Sequence, residues 1–570
     1  MVDRAVFRIV VLFSMLISAT TVQAQHTFKD VTTESGIQHQ FVVYEGMFGG
    51  GACVLDFNND GWEDVFITGG MNEDALYQNK GDGTFKNVYP QSGLDVTRHY
   101  VTQGVAGADV NKDGWVDLFI TTITTKDSVK SIPRAENLFF INNGNGTFRD
   151  ATAEYGLDDL ICFSTGVSIG DFDIDGYPDV YVGNYFLAYE GSLTVINDAT
   201  IVNASQTSKG YLLKNMGGKY FANVYDDYGL THKGFGFGGV FTDYDNDHDL
   251  DLLVNHDFGY KAEPNVFLKN EYPDEEFRDV AKELGLDLKI NAMGTAIGDI
   301  NNDGLLDYYV TNIRFNRMMV SQGVGKPYVD QSKELGMGYV SISWGTNFAD
   351  FDHDTDLDLF VANGDLNPND VPMADYYFEN SGGKFTEKAP AIGLNDYGIG
   401  RGSVVFDMDN DGDLDLLVIN QKAVLDYPVT SETRLYRNDS TTGNWIKIAL
   451  QGIDADKHGL GSRVEVVVGN IKMIREIDGG SSHLSQNSTI AHFGLGEATV
   501  VDSIIVTWTG GKKQILTGQK ANQLVIITET AGAKTSSWIS IVFVIAAAML
   551  FITLLYVWIT RVLNKGSKIV

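Results

Sequence analysis

The chain has 570 residues, 44% of them hydrophobic, and carries a formal charge of −33 at neutral pH with only two cysteines. That length holds one large domain and a smaller module, with enough apolar residues for packed cores rather than a disordered tail. So large an excess of acid excludes nucleic acid as a partner, because phosphates demand Lys and Arg, and two cysteines exclude a disulfide framework.

Residues 1–24 read as a signal peptide. Arg4 and Arg8 flank the start of an apolar run, Ile9 to Ile17, and Val22-Gln23-Ala24 offers a cleavage site. The run is too short to span a bilayer, and no Cys follows it for lipid attachment. Cys53 and Cys162 read as two buried thiols, with a single bridge between them as the alternative.

Residues 25–440 are repetitive. The pattern D-x-[DN]-x-D-x-x-x-D occurs seven times, beginning at Asp56, Asp109, Asp171, Asp243, Asp299, Asp350 and Asp407, at steps of 53, 62, 72, 56, 51 and 57 residues. A second signature keeps step with it: an aromatic, then Gly and an apolar residue eight and nine positions on. Its copies start at Phe28, Phe85, Phe148, Phe221, Phe277, Tyr328 and Phe385. Short β-rich runs such as Asp64-Val65-Phe66-Ile67 and Leu76-Tyr77-Gln78-Asn79 lie between, and Gly-rich hairpins such as Lys80-Gly81-Asp82-Gly83 lead to the next aromatic. Four short strands per unit of about 50 residues predict an all-β, seven-bladed β-propeller.

Each acidic loop offers a cation site. In Asp56-Phe57-Asn58-Asn59-Asp60-Gly61-Trp62-Glu63-Asp64, oxygens at positions 1, 3, 5 and 9 can converge on one ion, with the carbonyl of position 7 as a further ligand and Gly at position 6 for the turn. The first two ligand sets are Asp56, Asn58, Asp60, Asp64 and Asp109, Asn111, Asp113, Asp117. The next are Asp171, Asp173, Asp175, Asp179; Asp243, Asp245, Asp247, Asp251; and Asp299, Asn301, Asp303, Asp307. The last are Asp350, Asp352, Asp354, Asp358 and Asp407, Asp409, Asp411, Asp415. Hard oxygen donors without Cys point to Ca²⁺ rather than zinc or copper, and the flexible ligand number disfavours Mg²⁺. The sets use 25 of the chain's 75 acidic residues, so up to seven structural Ca²⁺ ions would move the net charge from −33 to −19. Loops four and six carry His248 and Thr355 at the turn position and are expected to hold calcium less well.

These units resemble FG-GAP repeats, also called VCBS-type repeats, as in the propeller of integrin α subunits and many bacterial exported proteins. The resemblance covers about residues 27 to 440 and implies structural calcium between the first two strands of each blade. The adhesion motif D-x-S-x-S of integrin inserted domains is missing.

Residues 441–530 change character. Asn444-Trp445-Ile446-Lys447-Ile448, His458-Gly459-Leu460-Gly461-Ser462-Arg463, Arg475-Glu476-Ile477-Asp478-Gly479-Gly480-Ser481-Ser482, His492-Phe493-Gly494-Leu495-Gly496 and Trp508-Thr509-Gly510-Gly511 follow in order. They resemble the ASPIC/UnbV domain, which follows FG-GAP repeats in the cartilage acidic protein 1 family. His458, Arg463, Arg475, His483 and His492 read as turn residues and hydrogen-bond partners rather than a catalytic cluster. After a linker (531–537), Trp538 to Thr560 is uncharged and long enough to cross roughly 30 Å of hydrocarbon. Arg561, Lys565 and Lys568 place the tail, residues 561–570, in the cytoplasm.

The expected protein is therefore a single-pass membrane protein with its N-terminal ectodomain at the cell surface or in the periplasm. It would recognise or adhere to a protein or glycan. The alternatives are a carbohydrate-active or other propeller enzyme and a structural subunit of an envelope complex. No H-E-x-x-H, C-x-x-C or phosphate loop is present, and no catalytic residue is assigned. The recognition surface is expected opposite the acidic loops, on the long connections Tyr185 to Gly210, Thr121 to Asn137 and Gly364 to Asp375. Because the first aromatic signature precedes every loop and the seventh loop has none after it, residues 27–32 should pair with residues 433–438. The rival closing strand is Trp445 to Leu450.

Overall fold

The computed structural model describes residues 27–44, 49–126, 135–186, 206–366, 370–394, 396–440 and 442–531. The inferred leader, the apolar segment Trp538 to Thr560, the tail and the middle parts of the three long connections lie outside these residues. Among the described residues no helix is long and apolar enough to cross a membrane. The chain divides into two compact units, Met1–Thr528 and Glu529–Val570, and the architecture below is that of the first.

The repeats form a propeller-like all-β structure. The first runs through strands Ala52–Leu55, Asp64–Ile67, Ala75–Asn79 and Phe85–Asn87, antiparallel and in sequential order. Among the described residues, seven antiparallel sheets of four or five strands follow this plan, and two further sheets make up the C-terminal module. The inner strands are buried at nearly every position, because each sheet is sandwiched between its neighbours; the outermost strand, such as Phe148–Asp150, buries only its aromatic. Phe28, for example, meets Phe351 at 5.4 Å and Tyr377 at 6.2 Å, edge to face, across the gap to the neighbouring sheet.

Two rows of contacts pass from sheet to sheet. Where the innermost strands converge, a side chain would not fit: a Cβ on Gly104 would lie 2.8 Å from the Thr165 carbonyl oxygen, and one on Gly402 would lie 2.3 Å from that of Gly50. Further out, in six of the seven sheets an Asn at the end of the third strand donates its side-chain N–H to the loop of the preceding sheet. Asn142 reaches the Phe57 carbonyl at 2.8 Å, Asn215 reaches Val110 at 2.9 Å and Asn270 reaches Phe172 at 2.7 Å. Asn380 and Asn438 reach Ile300 and Phe351 in the same way, and Asn79 reaches Met408 at 2.7 Å, joining the first sheet to the last. Ser321 stands at the corresponding place in the fifth sheet.

The last sheet takes its outer strand from the start of the chain. Phe28–Asp30 pairs antiparallel with Arg434–Asn438, in the register Phe28 with Asn438, Lys29 with Arg437 and Asp30 with Tyr436. Strand Asn444–Gln451, the rival, pairs instead with Ala491–Gly496 and, in parallel, with Leu524–Thr528. Cys53 and Cys162 sit in different sheets as buried thiols.

Replacing Asn142 by Ala strands the Phe57 and Val116 carbonyls it serves. We expect a loss of roughly 2 kcal/mol in denaturant unfolding, whereas Asn143→Ala, whose side chain bonds only its own hairpin, should change stability by well under half that amount.

Candidate metal centres

Each acidic loop bridges the first and second strands of its sheet, and its backbone takes the left-handed conformation twice. Position 4 is left-handed at Asn59, Lys112, Ile174, Asn246, Asn302, His353 and Asn410. At position 6 the glycines have φ between 86° and 100°, and His248 at 76° and Thr355 at 85° adopt the same turn. Those two residues accept a strain of about 1–2 kcal/mol that glycine escapes.

The aspartate at position 9 is the keystone. It is fully buried at the head of the second strand, and both its oxygens accept backbone N–H groups. Asp64 takes that of Asn79 at 2.7 Å and that of Phe57 at 3.3 Å. Asp117, Asp179, Asp251, Asp307, Asp358 and Asp415 repeat the pair of bonds in their own loops. The aspartate at position 1 folds the loop: Asp56 accepts the Asp60 and Gly61 N–H groups at 3.1 and 2.8 Å.

This wiring gathers carboxylates. Oxygens of Asp171, Asp173 and Asp179 lie within 4.8 Å of one another, as do those of Asp243, Asp245 and Asp251, of Asp350, Asp352 and Asp354, and of Asp407, Asp409 and Asp415. Asp173, Asp243, Asp407 and Asp409 each retain a buried oxygen with no hydrogen-bond partner. In loops one, two and five an Asn replaces the third-position Asp; Asn58 and Asn111 turn their oxygens to the position-5 N–H and their amides to its carboxylate. Buried carboxylates packed this closely resist ionisation. Burial first, then the charges of Asp173 and Asp175, push Asp171 up to about 8. Burial likewise raises Asp64, Asp117 and Asp307 to about 8, and holds Asp179, Asp251, Asp358 and Asp415 far above the usual carboxylate range. A hard divalent cation reverses that cost, and oxygen-only donors with unused lone pairs fit Ca²⁺.

Three of the four loops with a fourth carboxylate also receive a lysine, which sequence reasoning missed. Lys214 bonds Asp173 at 2.6 Å, Lys269 bonds Asp245 and Asp247, and Lys447 bonds Asp407 at 2.5 Å and Asn410 at 2.8 Å. Lys214 and Lys269 each precede the third-strand Asn, so spacing alone could have found them; Lys447 comes from the C-terminal module and could not be placed that way.

That module lies on the loops. Its Arg463 reaches Asn246 and the Gly304 carbonyl, Lys457 reaches Asn59 and the Gly114 carbonyl, and His492 bonds the Gly412 carbonyl at 2.9 Å. Gly510 and Gly496 donate backbone N–H groups to His248 and His353. Of the residues singled out in the sequence, Arg463 and His492 thus meet the loops, His483 lies buried against the Met293 carbonyl and Arg475 stacks over the Phe493 ring, so they do not assemble into one cluster. The string Gly166-Val167-Ser168-Ile169-Gly170 matches the nucleophile-elbow pattern G-x-S-x-G but is no elbow. It lies inside strand Ile161–Gly170, with Ser168 fully buried and accepting the Phe241 N–H.

Comparison with known proteins agrees with this architecture. The FG-GAP-like repeat profile matches residues 56–120 and 350–418, and the ASPIC and UnbV profile matches residues 452–534. The chain carries FG-GAP repeats and an ASPIC/UnbV domain. It is similar to cartilage acidic protein 1 of Xenopus tropicalis, at 26% identity over 81% of this chain and 70% of that protein. It is also similar to the Homo sapiens protein of that name, at 25% identity over 74% of this chain and 63% of that one. A solved Agrocybe aegerita lectin, described by its recognition of non-reducing terminal N-acetylglucosamine, aligns at 16% identity over 66% of this chain and 85% of that one, with a TM-score of 0.35. That likeness is too loose to speak to function.

Two measurements follow from the loop electrostatics. Millimolar Ca²⁺ should raise the thermal midpoint of the FG-GAP and ASPIC/UnbV part of the chain well above its value in EDTA, and Mg²⁺ should do so poorly. In EDTA, burial raises Asp64, Asp117, Asp171 and Asp307 from 3.8 to about 8 in the folded chain, so these groups favour the folded state while protonated and the midpoint should fall as pH rises from about 4 to about 8. Saturating Ca²⁺ should flatten that fall.

Proposed function

We propose that this chain is a membrane-anchored, extracytoplasmic calcium-binding protein whose seven-bladed propeller serves recognition or adhesion, with a protein or glycan as ligand. The leader, the apolar segment Trp538 to Thr560 and the basic tail support an ectodomain outside the cytoplasm and a cytoplasmic C-terminus. The seven ligand sets support structural calcium, one ion per blade.

The observation that carries the reading is the coverage of the loop face by the chain's own C-terminal module. A partner is left with the opposite face, where the connections between second and third strands emerge. These are the long and dissimilar segments, whereas the loops of the covered face are nearly uniform, as suits structure on one side and specificity on the other. Tyr185 and Phe186, at the root of the longest connection, both pack inward on Phe235, and Tyr185 also on Phe237. Both are fully buried there and serve to anchor that connection.

Replacing residues 190–204 with a short Gly-Ser linker, which leaves Ser208 in place against Cys162, should abolish the partner cross-link formed on intact cells. The calcium-dependent melt should be unchanged. An unchanged cross-link would contradict the assignment of the recognition surface.

A further inference from the structure

The C-terminal module does more than lie on the loops. Between strands Ile471–Glu476 and Ala491–Gly496, residues 478–488 enter the space at the centre of the seven sheets and touch the innermost strand of each. Gln486 exchanges backbone hydrogen bonds with Ala52 and Val54 of the first sheet, and the Leu484 carbonyl accepts the Val105 N–H of the second. Gly479 accepts from Ile169 in the third, and the His483 ring lies against Phe237 in the fourth. Ser482 pairs with Thr295 in the fifth and accepts the Thr346 N–H of the sixth, while Asn487 accepts the Val405 N–H of the seventh. His483 is fully buried; its Nδ1–H donates to the Met293 carbonyl at 2.9 Å, and its ring abuts Trp344.

Both stems of this segment are tied to acidic loops. On the entering side, Glu476 accepts the backbone N–H of Asp243, the first ligand of loop four, at 2.8 Å. On the leaving side, the Ser488 hydroxyl donates to Glu63, which precedes the last ligand of loop one, at 2.6 Å. Lys447, on the first strand of the same module, holds Asp407 in loop seven.

We infer that residues 478–488 are a calcium-held plug: ions in the loops keep the stems anchored, and loss of calcium releases the segment from the centre of the sheets before the sheets themselves unfold. The inference rests on the calcium reading given above. Its physical basis is the unequal support of the two structures. The sheets are held by their own ladders, aromatic stacking and apolar clusters. The plug is a polar, glycine-containing segment that meets each sheet through only a few hydrogen bonds or a ring contact, and its two stems end on loops that repel themselves when empty.

The chain carries its own reporter. Cys53 is fully buried beneath the plug, forming an isolated bridge with Gln486 and donating its thiol to the Gln486 side-chain oxygen at 3.2 Å. Cys162 is buried in the third sheet against Phe186 and Ser208, away from the plug. The experiment is alkylation of both thiols in the whole detergent-solubilised protein, followed by mass spectrometry, with bound calcium measured on the same samples. In calcium both thiols should stay protected. In EDTA, well below the melting midpoint, Cys53 should react about tenfold or more faster while Cys162 stays protected. Ser488→Ala, outside every loop, should raise Cys53 labelling in calcium without changing calcium content. Retained protection of Cys53 after measured calcium loss would overturn the plug and leave the calcium reading standing. Joint labelling of both thiols would show global unfolding and overturn it too. Absence of bound calcium would overturn both readings.

Discussion

Carboxylates held a few ångströms apart in a half-buried turn repel one another strongly, and the rest of this structure depends on how that repulsion is met. The position-9 aspartate cannot move away, because its two oxygens are fastened to the backbone of its own loop and of the third strand. The position-1 aspartate cannot move either, because it closes the turn. The fold therefore enforces the crowding, and a bound cation would relieve it. Three loops with an extra aspartate receive a lysine in addition, which leaves the loops more nearly alike in charge than their sequences suggest.

The same loops are where neighbouring sheets meet. The third-strand Asn of one sheet bonds the second residue of the preceding loop, so loop geometry and the spacing between sheets are one problem. The C-terminal module then reads the outward side of those loops, and its inserted segment reads the innermost strands. Acidic loops, sheet contacts and C-terminal module thus form a single mechanical circuit in which no part is set independently.

Much of this was legible in the sequence. The acidic pattern and the aromatic signature gave the repeat, and their offset by half a unit gave the pairing of Phe28–Asp30 with Arg434–Asn438, because an unmatched strand at each end leaves two sheet edges to satisfy. The acidic loops were equally plain, and those of loops four and six adopt the common turn despite His248 and Thr355. The seating of the C-terminal module was not legible. Its contacts are made by single residues, Lys447, Arg463 and His492, that recur with no period, and by backbone groups that leave no mark on composition. The segment 478–488 reads as a Gly-Ser surface turn, and only the ring of inner strands around it turns His483 and Gln486 into buried residues.

The account rests on cations balancing the loop carboxylates. The most direct measurement is the number of tightly bound metal ions per chain, by elemental analysis of the ectodomain equilibrated with calcium at physiological ionic strength. The account predicts calcium in preference to magnesium, with a stoichiometry that approaches the seven ligand sets of the sequence. Less than one calcium per chain in a folded ectodomain would contradict it.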